Sequence, residues 1–370
     1  MNFMNSIFEL ETPCLLLDLN RLERNIARFA AIATQHGVNL RPHLKTLKSI
    51  EAALLTVGKD GPITVSTLAE AEYFSAAGFR DIVYAVGIAP GKLSRAKRLV
   101  SSGVDLKLLT DSTAVARAAS GLGMKFLLEV DCGDERGGLP MDSPHLLAVA
   151  KEISEGGNIV EGVLTHAGHS YSTNDLNEVK KIAEEERRSA VGAAALLRSA
   201  GYPAPIVSIG STPTVAFGEN FDGVTELRAG VFMPFDLDQM SRGVCASDDL
   251  ALSVLTTVIG HNREAGRILV DAGGLALSKD ISASGFLVGA GYGHVVDAKS
   301  AISLGLVIDG VSQEHGKINL TDPTWFERLP VGSQVRVFPN HACFTAAAYP
   351  GYHLIKNGDL AGQWNRVNGW

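Results

Sequence analysis

Asp105-Leu-Lys-Leu-Leu-Thr110 is followed by a helix-like stretch, Ser112–Leu122, and then by Lys125-Phe-Leu-Leu-Glu-Val-Asp131. The two flanking runs are short, Leu-rich and bounded by polar or Gly residues, as buried strands are, and the stretch between them spaces its apolar residues near 3.6. The same rhythm extends outward in both directions. Upstream, the strand-like runs are Asn39–His43, Ile63–Ser66 and Asp81–Val86; downstream they are Ile159–His166, Pro205–Gly210 and Thr225–Ala229. Helix-like segments fall between them at Thr46–Val57, Leu68–Ala77, Pro90–Ser101, Ser143–Glu155, Thr173–Ala200 and Pro213–Asn220, with Thr67 and Ser112 supplying N-caps. Eight strand–helix units over ~200 residues have the size and period of a (β/α)8 TIM-type barrel. A doubly wound open sheet is the competing α/β architecture; the even spacing and the count of eight favour the barrel. The eighth helix is expected to be short or displaced, because Pro234 and a polar turn follow strand eight closely.

From about Leu250 the texture changes to strand-like runs without long helices: Leu250–Gly260, Arg267–Asp271, Ala301–Ile308, His315–Asn319, Gln334–Pro339 and Tyr352–Lys356. These imply a second, mostly-β domain. The expected division is a barrel over 14–238 and a β domain over 239–370 joined by 1–13. The strand-like segment at about 13–18 precedes the eight barrel strands, so it is expected to pair with the β domain. An amphipathic helix over Leu19–Gln35 follows it.

Composition narrows the class of function. The 370 residues carry 33 Lys and Arg against 40 Asp and Glu, a net charge of −7, and no basic block exceeds a pair such as Lys180-Lys181. A nucleic-acid partner is disfavoured, since it needs a basic face. The longest apolar stretches, such as Ala193–Leu197, fall far short of the ~20 residues of a membrane span. No signal peptide is visible over Met1–Phe8, and Cys14, Cys132, Cys245 and Cys343 form no CxxC, so a reducing cytoplasm is the expectation. Gly is abundant, 39 residues, which points to tight turns or to backbone that approaches a ligand.

Barrel enzymes carry their chemistry at the C-terminal ends of the strands. Here those ends read Arg41-Pro-His43-Leu-Lys45, Glu129-Val-Asp131-Cys-Gly-Asp134-Glu-Arg136, His166-Ala-Gly168-His169-Ser170-Tyr171, Gly210-Ser211-Thr212 and Arg228-Ala-Gly230-Val231. Ser211 and Thr212 stand where a Gly turn opens a helix, and Gly230 offers a second close backbone approach. The two elements suit a phosphate, or are a plain cap and a turn glycine. Lys45, if partly desolvated at the barrel mouth, would have a depressed pKa and form a Schiff base; otherwise it is a surface lysine like Lys48. Near the C-terminus, His341 and Cys343 would point to one side of a strand and ligate a borderline metal such as zinc, or are an unrelated pair.

Taken together, Arg41-Pro-His43-Leu-Lys45-Thr-Leu-Lys48, Thr64-Val-Ser-Thr-Leu-Ala-Glu-Ala-Glu72, Leu164-Thr-His166-Ala-Gly168, Ser208-Ile-Gly210-Ser211-Thr212-Pro213-Thr214, Glu226-Leu-Arg-Ala-Gly230-Val231 and Pro339-Asn-His341-Ala-Cys343 resemble the D-serine dehydratase and D-threonine aldolase family. These are pyridoxal-phosphate enzymes with the alanine-racemase fold (fold type III). The resemblance implies that Lys45 holds pyridoxal 5'-phosphate, with Ser211, Thr212, Gly230 and Val231 on its phosphate. It also implies Arg136 near its phenolic oxygen, His166 against its ring and Tyr171 near its pyridine nitrogen. His341 and Cys343 would bind zinc. The aldolases resemble His-x-Asp at that point, suited to manganese or magnesium, whereas a thiolate prefers zinc.

The implied activity is a lyase that dehydrates and deaminates D-serine, D-threonine or D-threo-3-hydroxyaspartate to a 2-oxo acid and ammonia. A metal-dependent aldolase giving glycine and an aldehyde is the alternative; a racemase or a non-catalytic pyridoxal-phosphate carrier is a second. Arg41 and His43 flank Lys45, either to recognise a substrate carboxylate or as structural residues. The resemblance further implies a homodimer acting on a small D-amino acid.

Overall fold

The computed structural model describes residues 6–370. Its contacts divide the chain into two units, 27–230 with 367–370, and 1–26 with 231–366, where the sequence reading placed the boundary at 238. The break near the N-terminus falls inside a helix, Leu19–Gln35 (α1), which follows the strand Cys14–Asp18 (β1). Leu22, Ile26, Phe29 and Ala33 recur every three or four residues along α1 and are all buried, as an amphipathic helix requires.

In the 27–230 unit the chain alternates strand and helix. The elements are Asn39–Leu40 (β2), Ile50–Val57 (α2), Ile63–Val65 (β3), Leu68–Ala76 (α3), Asp81–Gly87 (β4), Leu93–Ser101 (α4), Asp105–Thr110 (β5), Thr113–Ala118 (α5), Lys125–Val130 (β6), Pro144–Glu155 (α6), Ile159–Thr165 (β7), Leu176–Ser199 (α7), Ile206–Ile209 (β8), Thr212–Phe217 (α8) and Glu226–Leu227 (β9). All eight strands pair in parallel, in the order β2-β9-β8-β7-β6-β5-β4-β3. The ends of this sheet meet. Past β2, His43 accepts the bridge to Thr64 of β3, with Leu44 N–H on the Thr64 carbonyl at 2.9 Å and Thr64 N–H on the Pro42 carbonyl at 3.0 Å. On the other side, His43 N–H donates to the Ala229 carbonyl at 2.8 Å, so the eight strands form a closed barrel, as expected.

The interior of this unit combines an apolar layer, which includes Val83, Leu109, Leu127 and Leu164, with an ionic network built on the buried Arg41, Lys107 and Glu226. Arg41 joins Glu226 at 2.7 Å and Asp81 at 2.8 Å, and Lys107 joins both Asp81 and Asp105. Arg41 is therefore a structural staple joining the end of β2 to β4 and β9 and is not placed to hold a substrate carboxylate. The helix expected from Thr46 starts only at Ile50. Residues 44–47 form a turn, and Lys48 has φ of 50°, which no α-helix continues.

In the other unit, β1 lies between two later strands, antiparallel to Leu252–Asn262 (β10) and parallel to Gly351–Lys356, which establishes the expected pairing of the first strand with the β domain. The chain from Val231 onward contains Leu237–Ser241 (α9), β10, Arg267–Val270 (β11), Gly274–Leu277 (α10), Gly293–Asp297 (β12), Ser303–Val307 (β13), Gly310–Val311 (β14), Gly316–Asn319 (β15), Trp325–Arg328 (α11), Gln334–Pro339 (β16), Ala342–Ala346 (α12), Gly351–Lys356 (β17) and Asp359–Asn365 (β18). Its 10-stranded sheet runs β13-β12-β16-β10-β1-β17-β18, with β11, β15 and β14 branching from β10. Only a five-residue helix, α9, follows Pro234, in keeping with the short eighth helix expected. Among the described residues no helix is long and apolar enough to cross a membrane, and none of the four cysteines is in a disulfide.

Candidate active site

Lys45 stands on the turn after β2. It is exposed, so the partial desolvation expected of it is not supplied by the protein; it has no ion-pair partner among the described residues. Lys48 is different from the surface lysine expected: it is half-buried and its ammonium lies 3.1 Å from the buried Glu70 carboxylate. Two imidazoles sit in the field of Lys45. Burial, then Lys45 and Arg228, lower His166 to about 3 and push His43 well below its usual value, so both rings are neutral. His166 Nδ1 is 3.1 Å from the Gly210 carbonyl, which assigns the proton to Nδ1, and its ring centre lies 6.3 Å from that of Tyr171.

Arg228, at the end of β9, is fully buried and donates to Ser208 Oγ at 3.0 Å and to the Thr165 carbonyl at 2.6 Å. Burial lowers it to about 10, against Glu186, Glu226 and Glu129, which hold it charged. Arg136 is largely exposed on the loop after β6 and adds to the positive field on His166 and Arg228. Glu129 beneath that loop is raised, mainly by burial and Asp111, with Arg136 and Arg228 opposing. The barrel end that carries Lys45 is thus rich in cations and polarisable rings, the setting for an anionic aromatic ligand.

The loop after β8 separates the roles of Ser211 and Thr212. Ser211 is the N-cap of α8 in a reciprocal capping box: its hydroxyl accepts Thr214 N–H at 3.2 Å, and its own N–H goes to Thr214 Oγ1 at 2.9 Å. Ser211 therefore caps α8, whatever else it binds. Thr212 is the residue with capacity to spare, because its buried Oγ1 has no hydrogen-bond partner. Tyr171, expected beside a ring nitrogen, accepts Thr212 N–H on its hydroxyl at 3.3 Å. The 3-10 turn over Gly168–Ser172 folds it back over the start of α8. Gly230 lies against the turn that carries Lys45: a Cβ there would be 2.5 Å from the His43 carbonyl oxygen, so no other residue fits. Lys45, Arg136, His166, Tyr171, Ser211, Thr212 and Gly230 thus belong to one connected region of the barrel unit. Val231 is the first residue of the other unit, where its carbonyl accepts Phe235 N–H at 2.8 Å.

The sequence reading missed Glu186, a carboxylate buried on α7, and gave Arg228 no role. Glu186 was visible as an acid on the apolar stripe of a long helix; Arg228, as a charge within a strand whose other residues are buried.

In the β unit, His341 and Cys343 meet, but not as strand neighbours. β16 ends at Pro339, His341 is the N-cap of α12 and Cys343 lies in its first turn. Between β16 and α12, the side chain of Asn340 bonds the Gly291 carbonyl and Ala283 N–H. His341 Nδ1 is 3.5 Å from Asp280. Burial opposes it, but hydrogen bonds to Asp280 and Cys343, with the charge of Asp236, raise His341 to about 11. Burial raises Asp236 to about 6. Here the acids and the thiol hold His341 as the cation, and a borderline metal bound by His341 and Cys343 would take the place of its proton. Among the described residues no three His, Cys, Asp or Glu side chains converge as a complete ligand set.

Comparison with known proteins agrees with this geometry. Residues 17–237 match the model of the alanine racemase N-terminal domain, and 251–355 match a putative serine dehydratase domain. The chain is 43% identical to D-threo-3-hydroxyaspartate dehydratase of Delftia sp., covering 99% of this chain and 100% of that one, and its solved structure superposes with a TM-score of 0.95. It is 32% identical to D-serine dehydratase of Dictyostelium discoideum over 95% of each chain. A solved cysteine-to-alanine variant of D-threo-3-hydroxyaspartate dehydratase, described as the metal-free form, is 42% identical with a TM-score of 0.95 over 99% of this chain and 100% of that one. Barrel unit and β unit both follow the fold of these relatives: the chain is a lyase of the D-serine dehydratase family, built on the alanine-racemase fold.

Proposed function

We propose that this lyase removes the β-hydroxyl and the amino group from D-3-hydroxy amino acids, with pyridoxal phosphate on Lys45 and zinc on His341 and Cys343, giving a 2-oxo acid and ammonium. The observation that carries the reading is the cation-rich barrel end around Lys45, with Thr212 Oγ1 unpartnered and Gly230 cleared for close backbone approach. Bound pyridoxal phosphate supplies an electron sink that makes the α-hydrogen of an attached amino acid acidic. Lys45 Nζ is the base that takes this proton. Neutral His166 and His43 flank Lys45 without adding charge, so the net charge offered to the ligand comes from Arg228, Arg136 and the lysines. Thr212 donates its unpartnered hydroxyl to the phosphate, with Tyr171 held beside it by the Thr212 N–H, while Ser211 orients the turn. Zinc on His341 and Cys343 supplies Lewis acidity toward a leaving hydroxyl.

Cys343 supports dehydration over aldol cleavage, because thiolate ligation selects zinc. The 43% identity to a D-threo-3-hydroxyaspartate dehydratase and the metal-free cysteine variant of such an enzyme support the same choice. The test is a panel of D-serine, D-threonine and D-threo-3-hydroxyaspartate, with and without chelator, assayed for 2-oxo acid and glycine together. Dehydration gives 2-oxo acid and ammonia that chelation suppresses. Glycine and an aldehyde as the main products would overturn it.

A further inference from the structure

Glu186 occupies the stripe of Val179, Ile182, Ala183, Ala190 and Ala193 that α7 buries, and is itself fully buried. A carboxylate persists in such a place only when its lone pairs are met. Oε1 accepts two backbone N–H groups, from Ala167 and Gly210, each at 3.0 Å. Oε2 accepts the Thr214 hydroxyl at 2.7 Å. Ala167 follows β7, Gly210 follows β8, and Thr214 is in the first turn of α8, so one carboxylate ties three segments together. The tie continues outward. Thr214 Oγ1 receives Ser211 N–H, and the Ser211 hydroxyl lies 2.8 Å from Ser170 Oγ, which donates to the Ala167 carbonyl at 2.7 Å. Thr212, the residue with the unpartnered hydroxyl, sits within this chain of bonds without joining it.

We propose that Glu186 is a positioning residue for the cofactor phosphate: through Thr214, Gly210 and Ala167 it fixes the turn that presents Thr212. The proposal rests on the pyridoxal-phosphate reading above. Burial raises the Glu186 carboxyl, while its three donors and the charge of buried Arg228 act the other way, so little net negative charge faces an anionic ligand. Glu186→Gln keeps the size of the side chain. Its amide, however, puts an N–H donor either on the two backbone N–H groups or on Thr214 Oγ1, and in the second case the Thr214 proton loses its acceptor. Either way the Ser211–Thr214 turn loosens, and the effect is confined to the phosphate end of the site.

The experiment titrates apoprotein with pyridoxal phosphate and, separately, with pyridoxal, which has the same aldehyde and no phosphate, following the visible absorbance. Losing a charged hydrogen bond weakens pyridoxal phosphate binding by about tenfold to a hundredfold in Glu186→Gln, and pyridoxal binding is unchanged. Equal weakening of both ligands, or of neither, overturns the proposal. Should Glu186→Gln melt early, Thr214→Val removes one arm of the same clamp and is expected to show the same phosphate-selective loss, while Thr214→Ser restores the hydroxyl and binds like the wild type; indistinguishable behaviour of the two Thr214 variants overturns it. A wild type that takes up neither ligand overturns the cofactor reading instead, which separates the two failures.

Discussion

Gly230 shows how a single backbone position constrains the site. A Cβ at this position meets backbone, 2.5 Å from the His43 carbonyl oxygen and 3.0 Å from the His43 Cβ, and backbone cannot step aside as a flexible side chain would. Gly230→Ala is therefore expected to cost about 1–3 kcal/mol of stability, by overpacking, and to displace the turn that carries Lys45. Chemical denaturation and cofactor retention on gel filtration check both parts; an unperturbed variant would show that the turn has slack. His166 makes a separate prediction about pH. Its folded value of about 3 lies below the ordinary 6.5, so the unfolded chain binds the extra proton first. Stability linked to this ring is complete above pH 6.5 and is lost as pH falls through the window down to 3. Apoprotein melting temperatures should thus fall more steeply between pH 6.5 and 4.5 for the wild type than for His166→Asn. Parallel slopes would mean that His166 is protonated in the folded protein.

At the scale of elements, the barrel was legible because a buried parallel strand reads as a continuous apolar run. All eight strands were found, with ends that moved by a few residues where polar loop residues extend the pattern, as at Pro205 and Thr225. The β unit was less legible. β18, Asp359–Asn365, is an edge strand with most of its residues exposed, so it carries no apolar alternation. β12 begins at Gly293 and β14 has two residues, too little pattern to register. The candidate site residues on loop motifs were named by resemblance, whereas Glu186 lies within α7 and Arg228 just past β9, and both act through partners far away in sequence, which no local pattern reports. The Arg41 network is the clearest case. Its partners Asp81 and Glu226 are 40 and 185 residues distant, yet they tie β2 to β4 and β9 where the barrel closes. Removing one partner leaves buried charge uncompensated, so Arg41→Ala is expected to lose about 3–5 kcal/mol in urea denaturation. Arg41→Met with Glu226→Gln should recover part of that loss; if the double variant is as unstable as the single one, the burden lies in packing and not in charge.

For the molecule as a whole, the proposed site residues fall in both units. Of those read as holding pyridoxal phosphate, Lys45, Arg136, His166, Tyr171, Ser211, Thr212 and Gly230 belong to the barrel unit and Val231 to the β unit, which also carries the proposed metal pair, His341 and Cys343. Each group is held by its own local network: the Glu186 clamp in one, and the acids Asp280 and Asp236 around His341 in the other. Loading should therefore be separable. Lys45→Ala is expected to lose the visible absorbance of the bound cofactor and to keep its metal content, measured by elemental analysis. Cys343→Ala is expected to keep that absorbance and lose the metal. Both should abolish release of 2-oxo acid from D-3-hydroxy amino acids, because in the proposed reaction proton removal at Cα and departure of the hydroxyl are separate demands. A Cys343→Ala protein that dehydrates at the wild-type rate without metal would remove zinc from the reaction, and a Lys45→Ala protein with an unchanged visible spectrum would remove Lys45 as the cofactor's anchor.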